Sequence, residues 1–185
     1  MYPKHWNKIK QKVSWQESEI DKWNQIATQI HFPRHPENGI FLQQDGFLDK
    51  TIIPASSIDK SEKPINQHWS WDRILRSPFI KQADVLQGLY LFEENFDYEF
   101  IKKHFDFYEP LTVHESSLSA CVHSILASRL GRIEKAYSLY LRTSRLDLDD
   151  YNKEVEEGLH ITSMAGTWMS LVQGFGGVRI INDQL

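Results

Sequence analysis

The chain has one cysteine, Cys121, among its 185 residues. A disulfide framework within the chain is excluded, and the composition suits a reducing compartment. An excess of positive charge is also lacking: 21 Lys and Arg face 25 Asp and Glu, for a net charge of −4. A nucleic-acid partner calls for a concentrated basic face, so none is expected. No apolar run approaches the ~18 residues that cross a bilayer, so no membrane partner is expected. The opening Met1-Tyr2-Pro3-Lys4-His5-Trp6 is polar and is followed by Lys8, Lys10 and Lys12. That is not the pattern of a signal peptide, and the chain reads as cytoplasmic. Zinc-type spacing is missing among the eight His, and Asp147, Asp149 and Asp150 lack the Gly and Glu offsets of an EF-hand. No metal is expected, and these aspartates read as a turn with helix capping. No repeat of fixed period is visible, which weighs against a regular solenoid.

What is present is an ordinary globular composition, 41% hydrophobic and 25% charged, in a length that suits about one domain. Six Trp, seven Tyr and ten Phe could serve a core, sugar platforms or interfaces. Residues 1–13 read as a polar, basic lead-in, and 14–185 as the folded part. Ser14 and Glu17 have the spacing of a capping box, followed by Ile20, Trp23, Ala27 and Ile30 at helical period. Pro33 and Pro36 end that helix. Residues 37–70, with Gly39, Gly46, Pro54, Pro64 and the short run Ile40-Phe41-Leu42, read as a long ordered loop that could include a short hairpin.

From about residue 80 the pattern is helical. Expected helices are 81–94, 97–108, 116–130 (closed by Gly131), 132–146, and 162–172 before Gly174, Gly176 and Gly177. Short connections imply antiparallel neighbours. The last helix carries Ser163, Ala165, Gly166 and Ser170, as a fully buried helix would where neighbours come close. Cys121 lies on an apolar helical stripe and reads as a small buried hydrophobe rather than a nucleophile. Gly174-Phe175-Gly176-Gly177 follows a helix, so it reads as helix termination, not a nucleotide cradle.

Two stretches could carry chemistry. In Thr112-Val113-His114-Glu115-Ser116-Ser117, Ser116 or Ser117 can cap the following helix, whose free amides and dipole make an anion site in principle. A plain capped helix beside a structural His is the competing reading. Gly158-Leu159-His160-Ile161-Thr162-Ser163 repeats the layout. Two such helix starts could converge on one phosphate or sulfate.

Taken together, His68-Trp69-Ser70-Trp71-Asp72-Arg73, Ile80-Lys81-Gln82-Ala83-Asp84-Val85-Leu86, His114-Glu115-Ser116-Ser117-Leu118-Ser119, Arg145-Leu146-Asp147-Leu148-Asp149-Asp150-Tyr151 and Gly158 to Trp168 resemble glycoside hydrolase family 65, and within it the maltose phosphorylases. The resemblance covers roughly residues 15–180. It implies an all-α fold, the second half of a six-hairpin α/α barrel. It implies inverting phosphorolysis of maltose, or a related α-glucosyl disaccharide, to glucose and β-glucose 1-phosphate. No cofactor is implied, and inorganic phosphate is the co-substrate.

Carried over residue by residue, Lys81 and Gln82 match the family's sugar contact. His114, Ser116 and Ser117 match the segment where phosphate sits, and His160 the His beside it, with Thr162 either joining them or only capping. Glu115 is not the family's acid. The general-acid Glu is expected upstream of Met1, so no catalytic residue is expected in this chain and the isolated chain is expected to be inactive. A non-catalytic sugar- or phosphate-binding remnant and one half of a split phosphorylase are the alternatives. Apolar faces left by a missing N-terminal half would favour self-association.

Overall fold

A computed structural model describes residues 3–180. It contains helices and two isolated bridges, and no strand among the described residues. The chain divides into two compact units, residues 1–32 and 33–185.

The first unit is a helical pair, α1 (Pro3–Lys12) and α2 (Ser18–Gln29). The expected polar lead-in is thus helical over most of its length. The capping box does not form. Ser14 has φ 53°, outside the extended region an N-cap occupies, and the Glu17 carboxylate accepts instead from Lys10 Nζ at 2.5 Å. α2 consequently starts at Ser18, four residues after Ser14. Trp15 stands between Trp6 and Trp23, with ring centroids 6.0 and 5.3 Å away. The expected apolar stripe of Ile20, Trp23 and Ala27 lies on α2, with Ile30 at its C-cap, yet no residue of that helix is buried.

The second unit begins with the expected loop. Arg34 and Phe41 form an antiparallel bridge, the short hairpin anticipated there. The loop is ordered because later helices hold its backbone. α3 (Ile65–His68) and α4 (Trp71–Arg76) close it, and Ser70 caps α4 through Arg73 N at 3.2 Å. Arg73 lies 3.6 Å over the Trp69 ring, and both donate to Glu62. The aromatic-rich segment is therefore largely structural around Trp69. A small core of Ala55, Ile58, Ile65, Phe79 and Val113 sits behind it.

The main core is built by α5 (Val85–Leu91), α6 (Tyr98–Tyr108), α7 (Ala120–Arg129), α8 (Ile133–Ser144) and α9 (Ile161–Met169), which continues as a π-helical turn over Ser170–Phe175. α6 buries Ile101, His104, Phe105 and Tyr108, one stripe at helical period. Its polar atoms also fix the loop. His104 Nε2 accepts from Phe41 N at 2.8 Å, while its Nδ1 lies 2.7 Å from Phe100 O. Tyr108 Oη accepts from Gln43 N and donates to Phe41 O. Burial lowers the His104 pKa and raises that of Tyr108, so both remain neutral near neutral pH.

α7 is the central element: every residue from Ala120 to Ala127 is buried. Gly131, at φ +70°, supplies the left-handed residue that ends it and lets α8 turn back as the second arm of a hairpin. α9 departs from the simple antiparallel expectation. Ser170 donates to Cys121 O and Ser128 to Gly174 O, so α9 and its continuation run parallel to α7. The excursion through residues 145–160 returns the chain to make this possible. A Cβ on Gly166 would lie 2.7 Å from Cys121 Cβ, which is why a glycine stands at the contact. The expectation of a fully buried last helix is corrected. Ser163, Gly166, Ser170 and Gly174 face the core, whereas Ile161 is 67% exposed and Trp168 62%. Ser163, Gly166 and Ser170 serve one close-packed seam, Ala165 is exposed, and the opposite face is apolar and open.

Candidate functional site

Residues 80–82 do not start a helix. Ile80 forms a parallel bridge with Thr112. Ile80 N donates to Leu111 O, Val113 N to Ile80 O, and Glu115 N to Lys81 O. Two extended segments therefore run side by side, and α5 begins only at Val85. This pairing sets Gln82 beside Ser116, whose Oγ donates to Gln82 Oε1 at 2.9 Å. Lys81 is exposed next to them.

Ser116 and Ser117 do not cap α7, which starts at Ala120 with Ser119 in the N-cap position. Ser116 Oγ instead accepts from Leu118 N inside a tight turn. Ser119 makes no side-chain cap because its hydroxyl is engaged with His114 Nδ1 at 2.8 Å. Ser117 Oγ lies 2.6 Å from Thr162 Oγ1 at the start of α9. The two segments singled out in the sequence thus meet. Gln82 with Ser116 and Ser117 with Thr162 form two hydrogen-bonded pairs that follow one another along the turn as a row, with Gln82 and Thr162 exposed and the two serines half-buried.

The two histidines lie differently. His114, at φ +57°, turns its ring inward: Nδ1 meets Ser119, and the buried Nε2 is 3.7 Å from Glu109 Oε1. Its carbonyl accepts from Arg142 at 2.8 Å. The His114 ring is therefore not brought to the row, although its backbone shapes the turn that carries Ser116 and Ser117. Burial lowers its pKa, and the nearby Glu109 only partly offsets this. His160 is clamped by Asp147, which accepts from its backbone N at 2.9 Å and holds Nδ1 at 2.6 Å. Its Nε2 is 3.7 Å from Glu154. The His160 amide, with help from its ring, holds the Asp147 carboxyl below the usual carboxylate range.

The other acidic groups of this region are structural. Asp149 pairs with Arg145, and Asp150 accepts from Glu154 N and Val155 N, as the turn-and-capping reading had it. Glu115 is buried, and its two oxygens accept from Ile65 N at 2.8 Å and Asn66 N at 3.4 Å. It is committed to the first turn of α3 and is not poised as an acid. An open cleft of about 830 Å³ lies elsewhere in this unit, bordered by Tyr90, Glu93, Arg129, Gln173 and Phe175, and shares no residue with the row.

The family model of the glycosyl hydrolase family 65 central catalytic domain matches residues 2–169. The chain belongs to this family. Maltose phosphorylase of Bacillus subtilis is 54% identical over 92% of the chain and 22% of its own length. Alpha,alpha-trehalose phosphorylase of Thermoanaerobacter brockii is 40% identical over 99% of the chain and 24% of its own length. A solved structure provisionally assigned as a kojibiose phosphorylase from the human microbiome superposes with a TM-score of 0.86 at 41% identity, over 95% of the chain and 23% of that structure. The helical architecture is thus that of the family's α/α barrel. The chain spans less than a quarter of the length of the relatives it matches.

Sequence reasoning missed three features. Asp147 as the orienting partner of His160 and Arg142 as the clamp on the His114 carbonyl each join residues remote in sequence. So does the gathering of Glu109, His114 and His123, whose potential ligand atoms all lie within 4.8 Å of one another. No local spacing rule points to any of these.

Proposed function

We propose that the chain supplies the phosphate- and sugar-binding side of an inverting glycoside phosphorylase. Its substrate on this reading is maltose, cleaved with phosphate to glucose and β-glucose 1-phosphate. The 54% identity to a maltose phosphorylase, against 40% for a trehalose phosphorylase and 36% for a kojibiose phosphorylase, supports that choice. The observation that carries the reading is the row itself. Four residues expected at sugar or phosphate are linked by direct hydrogen bonds, Gln82 to Ser116 and Ser117 to Thr162.

In the proposed reaction, phosphate attacks the anomeric carbon from the face opposite the departing glucose. A carboxylic acid protonates the leaving oxygen, and phosphate replaces the activated water of an inverting hydrolase. Ser116, Ser117 and Thr162 offer hydroxyl donors to phosphate oxygens; Lys81 and Gln82 offer a cation and an amide to sugar hydroxyls. His160, oriented by Asp147, sits two residues before Thr162 and flanks the anion. The role of His114 is to shape the turn. The reading requires no cofactor and suits a cytoplasmic protein. With Glu115 committed to α3, the chain alone binds without turnover.

Titration calorimetry with phosphate and with glucose, beside an assay for glucose 1-phosphate from maltose and phosphate, tests this. Expected are phosphate heat that falls in Ser117→Ala and Thr162→Val, and no product. Absence of phosphate heat from the folded chain refutes the binding role, and product above a protein-free blank refutes the expected inactivity.

A further inference from the structure

The structure assigns a site for a divalent transition-metal ion, with zinc as the reference ion, to Glu109, His114 and His123. These ligands come from three consecutive parts of the chain: the end of α6, the turn before α7, and α7 itself. Their potential ligand atoms lie within 4.8 Å of one another. In a tetrahedral zinc site with ~2.0–2.1 Å bonds, neighbouring ligand atoms stand roughly 3.4 Å apart. The 3.7 Å between His114 Nε2 and Glu109 Oε1 is already near that, and the His123 ring must close the rest.

The second observation is independent of this proximity. His123 is wholly buried, and neither of its ring nitrogens has a hydrogen-bond partner. His114 Nε2 is buried and unpartnered as well. Buried polar atoms are nearly always satisfied, so several orphaned imidazole nitrogens around one carboxylate point to a missing electrophile. The rings meet edge to face with centroids 4.6 Å apart. His114 also has the outer partner that metal-bound histidines have: Nδ1 is fixed by Ser119 Oγ at 2.8 Å, which leaves Nε2 as the ligand atom. Imidazole nitrogen with one carboxylate favours zinc and its neighbours over magnesium or calcium.

Two cations oppose the ion: Arg142, which donates to the His114 carbonyl at 2.8 Å, and Lys135, which pairs with Glu109. Lys135 Nζ lies 2.5 Å from Glu109 Oε1. Its side chain is 44% exposed, so the ammonium can withdraw to water when a cation arrives. Lys135 and the metal therefore compete for one carboxylate. The bound ion would tie α6 to α7 beneath the turn that presents Ser116 and Ser117, a structural role separate from sugar or phosphate binding.

The test uses the whole chain, stripped with chelator and titrated with zinc and cobalt(II) salts. The readouts are stoichiometry by elemental analysis, visible cobalt absorption and thermal melting. Expected are one equivalent of tightly held ion, a cobalt spectrum of low coordination number, and a raised melting temperature. His123→Leu and Glu109→Gln should each weaken binding about a hundredfold or more, beyond the loss seen when only an outer partner is removed. Lys135→Met should tighten it about two- to fivefold, the scale of one screened ion pair. That gain cannot come from misfolding, so the test holds even if His123→Leu does not fold. Failure of the folded chain to bind, binding unchanged in Glu109→Gln, or binding not strengthened in Lys135→Met overturns the assignment. The nitrogens would then be satisfied by trapped water. Phosphate titration of the metal-free chain is a separate measurement, so the two readings stand or fall independently.

Discussion

Replacing Glu115 with Gln isolates what this buried carboxylate does. The carboxylate accepts from Ile65 N at 2.8 Å and Asn66 N at 3.4 Å, the first amides of α3. The substitution keeps shape and volume but leaves only one accepting oxygen, and it points an amide NH2 at a backbone NH. The shorter bond is charge-assisted, and such bonds are worth about 1.5–3 kcal/mol. The longer one adds less, about 0.5 kcal/mol, because it is stretched. Arg142 also loses a negative neighbour: burial lowers its pKa, while Tyr151 and Glu115 support its charge. A loss of about 3 kcal/mol is expected. For a chain of this size that lowers the melting temperature by about 6–12 °C. Urea unfolding followed by far-UV circular dichroism should show the same loss with an unchanged slope. A variant melting within a degree of the parent would refute the account of Glu115 as the anchor of the 37–70 loop.

Three further outcomes are expected. Gly166→Ala should destabilise by about 1–2 kcal/mol, because overpacking against Cys121 at 2.7 Å exceeds the helix-propensity gain; a urea midpoint at or above the parent's would contradict the close α7–α9 seam. His104 has its folded-state pKa lowered by burial, so the unfolded chain binds the extra proton first. Its contribution is complete above the unfolded value near 6.5 and is lost as pH falls below it, at up to about 1.4 kcal/mol per pH unit. Urea midpoints at pH 7.5 and 5.5 should show this slope, and His104→Gln, which keeps an acceptor for Phe41 N, should reduce it by one histidine's share, since burial lowers His114 and His123 in the same direction. Trp168→Ser with Ile161→Ser should reduce self-association measured by light scattering, since both side chains belong to the open apolar face of α9; equal mass distributions for parent and variant would sink that reading.

The helices legible in the sequence were those whose burial follows a local rule. α6 shows Ile101, His104, Phe105 and Tyr108 at helical spacing, and all four are buried. Gly131 marked the end of α7 because a left-handed residue there has few alternatives. Local rules failed where a distant partner outbid a near one. Glu17 satisfies Lys10 rather than a cap, and Ser119 turns to His114, which leaves α7 without a side-chain cap. Lys81 and Gln82 looked like a helix start because the bridge between Ile80 and Thr112 has no local signature. The candidate site was legible as a set of residues and not as a geometry. The family resemblance groups Ser116, Ser117 and Thr162, but nothing in their spacing indicates that His114 faces inward.

The 2.6 Å contact between Ser117 and Thr162 acts as a latch. Two hydroxyls this close share one hydrogen between them, so only one remains to donate outward. An incoming tetrahedral anion that takes a hydrogen from each must open the latch. On the proposed reading, breaking this bond would reduce the grip of the row on an anion by about 1 kcal/mol, the worth of the bond. Removing one hydroxyl deletes a donor but also frees its neighbour, so single substitutions should understate the pair and only the double variant should reveal its full weight. The same bond joins the turn before α7 to the first residues of α9, so anion binding would loosen that joint as it fills the row.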